Sequence, residues 1–437
     1  MFKWLLIPLL LLSCTAQAAA IPADDSPWYM AGGGPGKENC TNLNFDTLEL
    51  LWTFSPGLHV WEYRKRMSVW SESVVAGTVS GRPLLFCGSY DHNLYCLDAR
   101  TGAKVWRFST GLPINSSPLL IDSQNGTRVF VVSTDRVAYC LDAGTGSKIW
   151  SREIYPWTFT AFDGIFPSPI SGSVGKRERI FLSAWYADNK PVRPEQAGVV
   201  FCLDPETGST VWMKAVGKSP LYSPAFIKKG DGGCLYITSE DGNIYCFDAE
   251  NGSLLWKHTT AVNMSSSPMV AATPQRRLYS GNLFGVYYAL DADSGEEIWT
   301  CKMGMQCIYP GALTGLGGTV RLFVANFDRN LYCLDAREGT VLWKFQTGKY
   351  NASSPLLINF KGEQAVVFPS LDNSLYVVRA SDGSRIWEYR MGERLWAYDT
   401  RGWTLWPSPV AVRLEGRALL LLPWYDGKIY AFSAGAG

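Results

Sequence analysis

Residues 94–111 read LYCLDARTGAKVWRFSTG: apolar and polar positions alternate up to Asp98, an Asp/Gly turn follows, and a second alternating run centres on Trp106. Alternation of period two, bounded by turn residues, predicts two half-buried strands joined by a tight turn. Variants of this stretch recur. AYCLDAGTGSKIW ends at Trp150, VFCLDPETGSTVW at Trp212, IYCFDAENGSLLW at Trp256, YYALDADSGEEIW at Trp299, LYCLDAREGTVLW at Trp343 and LYVVRASDGSRIW at Trp387. In each copy a Gly stands four residues before the Trp.

With Trp52 added, the Trp positions are separated by 54, 44, 62, 44, 43, 44 and 44 residues. A period near 44 with four short strands per unit is the spacing of propeller blades, and no segment has helical periodicity. In blade two SSPLLID starts the inner strand, RVFVVS makes the second, AYCLDA the third and SKIWSR the outer one. Asp98, Asp142, Asp204, Asp248, Asp291 and Asp335 are placed to accept from the following backbone amides, and the Gly after each takes positive φ without Cβ strain. Trp offers a broad apolar face to the gap between blades, with an indole N–H that needs an acceptor.

The two ends of the chain complement each other. Residues 44–52 (NFDTLELLW) match a turn and an outer strand alone, whereas the closing IYAFSAGAG matches a third strand and its turn. The first strand after the N-terminal segment is therefore expected to complete the last blade by pairing with residues 428–433. Closure of this kind leaves no free sheet edge at the join. The reading is an all-β, eight-bladed propeller of four-stranded antiparallel blades, one domain over residues 44–437 behind a lead segment 19–43.

The chain opens MFKWLLIPLLLLSCTAQAAA, a cation, an apolar run and small residues, which is an export signal and not part of the fold. Ala16-Gln17-Ala18 suits cleavage after residue 18; Leu11-Leu12-Ser13-Cys14 suits a lipoprotein signal of residues 1–13 with Cys14 lipidated. Both readings stay open. Neither requires a transmembrane segment, since no later apolar run reaches the ~20 residues of a spanning helix. Composition is that of a large aromatic-rich core: 47% hydrophobic, with 18 Trp, 21 Tyr and 20 Phe. A net charge of +1 with no long basic run argues against nucleic acid as a partner.

Eleven cysteines in an exported chain would ordinarily suggest disulfides. Here Cys96, Cys140, Cys202, Cys246 and Cys333 all lie ten residues before a repeat Trp, so they point into separate local cores and read as buried thiols. Cys87 and Cys96, across a hairpin turning at Asp91-His92, form the one pair placed for a disulfide. Three histidines and no CxxC or HxxxH argue against a structural metal site.

The repeat as a whole, YxLDxxTGxxxWxxxTGxxxxSSP, resembles the PQQ-like β-propeller family from residue 44 onward. That resemblance implies a propeller. Among members, the eight-bladed lipoprotein of the outer-membrane β-barrel assembly machine is similar in length, export signal and lack of appended domains. Quinoprotein alcohol and sugar dehydrogenases share the repeat but carry adjacent cysteines beside the quinone and a calcium site. No two cysteines are adjacent here, and no other catalytic pattern emerges, so PQQ, calcium and catalysis are not expected.

Function is expected where the period breaks. The long links 55–69, 155–166 and 391–405 enter blades one, three and eight, and 187–198 lies within blade three; all four should share one face and one sector. They are rich in aromatic and charged side chains, the chemistry of recognition surfaces. The candidate binding residues are Trp61, Tyr63, Arg64, Trp157, Phe159, Asp163, Trp185, Trp396, Tyr398, Asp399, Arg401, Trp403 and Trp406. Glu72 joins them because Glu72-Ser73 aligns with the Ser-Pro pairs that begin at Ser117, Ser168, Ser223, Ser267, Ser354 and Ser408, placing a carboxylate near the channel mouth. The expected role is a monomeric, non-enzymatic scaffold of the cell envelope with a protein partner. A small polar ligand such as a saccharide is the competing reading.

Overall fold

The computed structural model describes residues 40–56, 73–154, 167–185, 198–218, 220, 222–260, 262–271, 275–392 and 408–434. These form eight sheets, each built on four antiparallel strands, and one sheet carries a fifth, parallel strand. Blade one is Val75–Val79, Arg82–Gly88, Asn93–Asp98 and Lys104–Ser109, ordered from the channel to the rim. Inner strands of successive blades pack side by side, and that of blade one also meets Val410–Leu414 of blade eight. The ring therefore closes. No helix among the described residues is long and apolar enough to cross a membrane.

The repeated Trp and Gly act across blade boundaries. Trp106 of blade one donates its indole N–H to the Ala143 carbonyl of blade two at 3.1 Å. A β-carbon on Gly146 of blade two would stand 2.7 Å from the same indole, and Gly146 has φ +74°. Two demands thus select glycine there: a left-handed backbone, and a neighbour's ring lying on it. Trp212 with Ala249 and Gly252, and Trp299 with Ala336 and Gly339, repeat the arrangement. The Asp turns form as the sequence implies, Asp98 Oδ1 accepting from Arg100 N at 2.9 Å and Asp142 Oδ1 from Thr145 N at 2.8 Å.

Ring closure joins the two ends of the chain. Glu49–Phe54 is the outer strand of blade eight, paired from Glu49↔Ser433 to Phe54↔Ile429. Its Trp52 donates to Ala99 of blade one at 3.1 Å and lies against Gly102, so the seam between blades eight and one is built like the others.

It is not, however, the first strand. Cys40–Phe45 runs parallel to Leu356–Phe360, the inner strand of blade seven, on the edge that faces the channel. Asn359 Nδ2 donates to the Asn42 carbonyl at 3.2 Å, and Lys361 N donates to the Phe45 carbonyl at 2.8 Å. Leu43 and Phe45 are buried there. The chain leaves the channel at Asp46 and reaches the rim by Glu49. Alternation of Asn42 and Asn44 with Leu43 and Phe45 carries this strand, where the sequence reading had assigned residue 44 onward to a repeat turn.

The repeat cysteines are buried thiols. Burial pushes Cys140, Cys202 and Cys333 up to about 12, so they pack as protonated apolar groups. The expected Cys87–Cys96 disulfide is not made. Cys87 lies opposite Tyr95, and Cys96 opposite Phe86, so the two sulfurs point to opposite faces of the sheet.

Candidate functional site

In each blade the links from the preceding blade and the turns between second and third strands lie on one face, because the four strands alternate in direction from channel to rim. The strand ends that flank all four period-breaking segments lie on this loop face. Trp61, Tyr63, Arg64, Glu72, Trp157, Phe159, Asp163, Trp396, Tyr398, Asp399, Arg401, Trp403 and Trp406 fall outside the described residues, as does Cys14. Trp185 is described through its backbone, which ends the strand Arg177–Trp185 opposite Gly198.

Strand pairing corrects the alignment at Glu72. Val75 pairs with Phe86 as Leu119 pairs with Phe130, so Ser73 occupies the Ser117 position and Val74 that of Pro118. Links of unequal length had shifted the sequence alignment by one residue. The serines at this position bridge neighbouring blades at the head of the channel. Ser117 N donates to Ser168 Oγ at 2.9 Å, Ser168 N to Ser223 Oγ at 2.8 Å, and Ser223 N to Ser267 Oγ at 3.2 Å. Ser354 N donates likewise to Ser408 Oγ at 3.2 Å. They are structural ties between blades.

A second repeated tie on the loop face escaped the sequence reading. Asp135 accepts from Val137 N at 3.0 Å, from the Tyr139 hydroxyl at 2.7 Å and from Gly111 N of the incoming link at 2.8 Å. Asp372 does the same with Ser374, Tyr376 and Gly348. Burial, with the facing carboxylate, holds the Tyr139 phenol well above its ordinary range. The signal was available as Asp four residues before Tyr in six blades: 91/95, 135/139, 241/245, 328/332, 372/376 and 426/430.

Blade five departs from it. Phe284 stands where six other turns hold the Asp, and is 62% exposed. On the adjoining link Met305, 41% exposed, places its carbonyl against Gly285. Together they put apolar surface on the loop face at a position that in six other blades is a polar clasp.

Ring, repeat and loop face define a PQQ-like repeat propeller. The model of one family, described as outer membrane protein assembly factor BamB, matches residues 41–159, 196–273 and 240–402, and the chain belongs to this family. No curated protein matches the chain by sequence. Among solved structures, BamB from Moraxella catarrhalis aligns with a TM-score of 0.59 at 15% identity, covering 89% of this chain and 100% of that one. A quinohemoprotein alcohol dehydrogenase from Comamonas testosteroni aligns with a TM-score of 0.71 at 13% identity, covering 94% and 81%. Sqt1 from Saccharomyces cerevisiae gives 0.62 at 11%, covering 89% and 99%. At these identities the likeness is one of fold.

Proposed function

We propose that the chain is a non-enzymatic scaffold of the cell envelope, whose loop face docks a protein that takes part in outer-membrane protein assembly. The family match supports the location and the class of partner. The observation that carries the reading is the exposed Phe284 beside Met305, where six other blades build an Asp–Tyr clasp. Exposed aromatic and Met side chains are what interface cores are enriched in. Cys40–Phe45, lying in the channel against blade seven, further supports a scaffold over a channel-bound cofactor.

A photo-crosslinking residue at position 284 tests this in envelope preparations, with position 125, on the opposite face, as control. The scaffold reading expects a discrete protein adduct from 284 and none from 125. Equal adducts from both, or dye-linked oxidation of alcohols or sugars on adding PQQ and calcium, would overturn it.

A further inference from the structure

We propose that the seam between blades two and three is a binding site for a small anionic amphiphile, a medium-length apolar chain ending in a carboxylate, with Arg152 as its counter-charge. The third and outer strands flanking this seam are Val137–Asp142 and Lys148–Glu153 in blade two, and Gly198–Leu203 and Thr210–Val216 in blade three. At four other seams the residue two places after the repeat Trp wedges a ring against the next blade's third strand. Phe54 meets Tyr95, Phe108 meets Tyr139, Phe345 meets Tyr376 and Tyr389 meets Tyr430, with ring centroids 5.4 to 6.2 Å apart. Each wedge is flanked on its paired strand by a large aliphatic side chain: Ile429, Leu94, Leu331 and Leu375 respectively.

Both parts of that filling are missing between blades two and three. Arg152 takes the wedge position, its cross-strand partner is Ala138, and the facing ring is Phe201, which has no hydroxyl. Replacing a branched aliphatic and an aromatic side chain in a close-packed gap by Ala and a solvent-seeking Arg leaves space. The result is a cavity of about 310 Å³. Its inner walls are the buried Ala138, Ile154, Phe201 and Leu203, while Arg152 and Met213, both exposed, mark its mouth at the rim. Apolar walls with a few polar groups at this size are the makings of a small-molecule site. Charge then selects the ligand. Glu153 lies 3.8 Å from Arg136, whereas Arg152 makes no ion pair or hydrogen bond among the described residues. The uncompensated charge at the mouth is a guanidinium, whose planar fork suits a carboxylate. The site is remote in the chain from Phe284 and does not depend on the docking of a protein there.

The test is calorimetric titration of the full chain with decanoate, with decanol as the uncharged analogue and vesicles of an anionic phospholipid as the membrane source of the same chemistry. The wild type is expected to bind one equivalent of decanoate, and decanol roughly tenfold or more weakly. Arg152→Gln should weaken decanoate by a similar factor and leave decanol unchanged. Ala138→Leu and Arg152→Phe each restore what other seams carry, so either should abolish binding while the melting temperature holds or rises. Absence of decanoate binding by the wild type, equal affinity for decanol, or undiminished binding in a folded Ala138→Leu or Arg152→Phe chain overturns the proposal. So does binding of the vesicles, and not of decanoate, that is lost on Ala138→Leu.

Discussion

The links into blades two and six are the same length and are pinned in the same way, Gly111 N on Asp135 at 2.8 Å and Gly304 N on Asp328 at 3.2 Å. Their contents differ. The first holds Thr110 and Ile114 and meets turns that are polar clasps; the second holds Met303 and Cys307 and runs beside Phe284. Since one backbone accepts both sets, the fold does not dictate the second. Repetition marks what the ring needs, and departures from it mark what is available for binding.

The first way to break that contrast is to damage the repeated part. Gly146→Val adds branched carbons where the first would stand 2.7 Å from the Trp106 ring, at φ +74°. Overpacking and left-handed strain together should cost about 4 kcal/mol, seen as a large fall in the denaturant midpoint. A midpoint like that of the wild type would show that the seams do not carry the ring. Next comes the channel strand: Phe45→Ala empties a fully buried site and should cost about 3 kcal/mol. If Phe45→Ala is as stable as the wild type, the strand does not occupy the channel.

Smaller effects follow from the polar clasps and the thiols. Asp135→Asn keeps the shape but removes the charge that three donors share, a loss of about 1–2 kcal/mol by chemical denaturation. For Cys140, Cys202 and Cys333, raised to about 12 by burial, the folded chain holds protons that the unfolded chain releases near pH 8.5. Their contribution is complete below that pH and is lost as pH rises toward 12. Denaturation midpoints should therefore decline across the alkaline range, while native thiols resist alkylation at pH 8. Rapid labelling of these cysteines in the folded chain would contradict their burial.

Eight blades, the four-strand order and the ring closure were legible in the sequence because each depends on local chemistry repeated many times. Gly146 and Trp106 carry their roles in type and spacing alone. Cys40–Phe45 was hidden because it has no second copy: a single alternating strand acquires its place only from the channel edge of blade seven. Glu72 was misaligned because link length is a poor ruler, whereas Val75↔Phe86 pairing fixes register. Phe284 was missed for another reason: it departs from an Asp-to-Tyr spacing, shared by six blades, that had to be noticed first.

Contrast between tile and departure is tested most directly at Phe284, by restoring the repeat with Phe284→Asp. The yield of the cross-linked envelope complex captured from position 305 is measured for this variant and for the wild type. Stability should change by no more than about 0.5 kcal/mol, as expected of an exposed site, while the captured complex is lost. A stable Phe284→Asp chain that captures the same complex in undiminished yield would contradict the claim that binding resides where the repeat is broken.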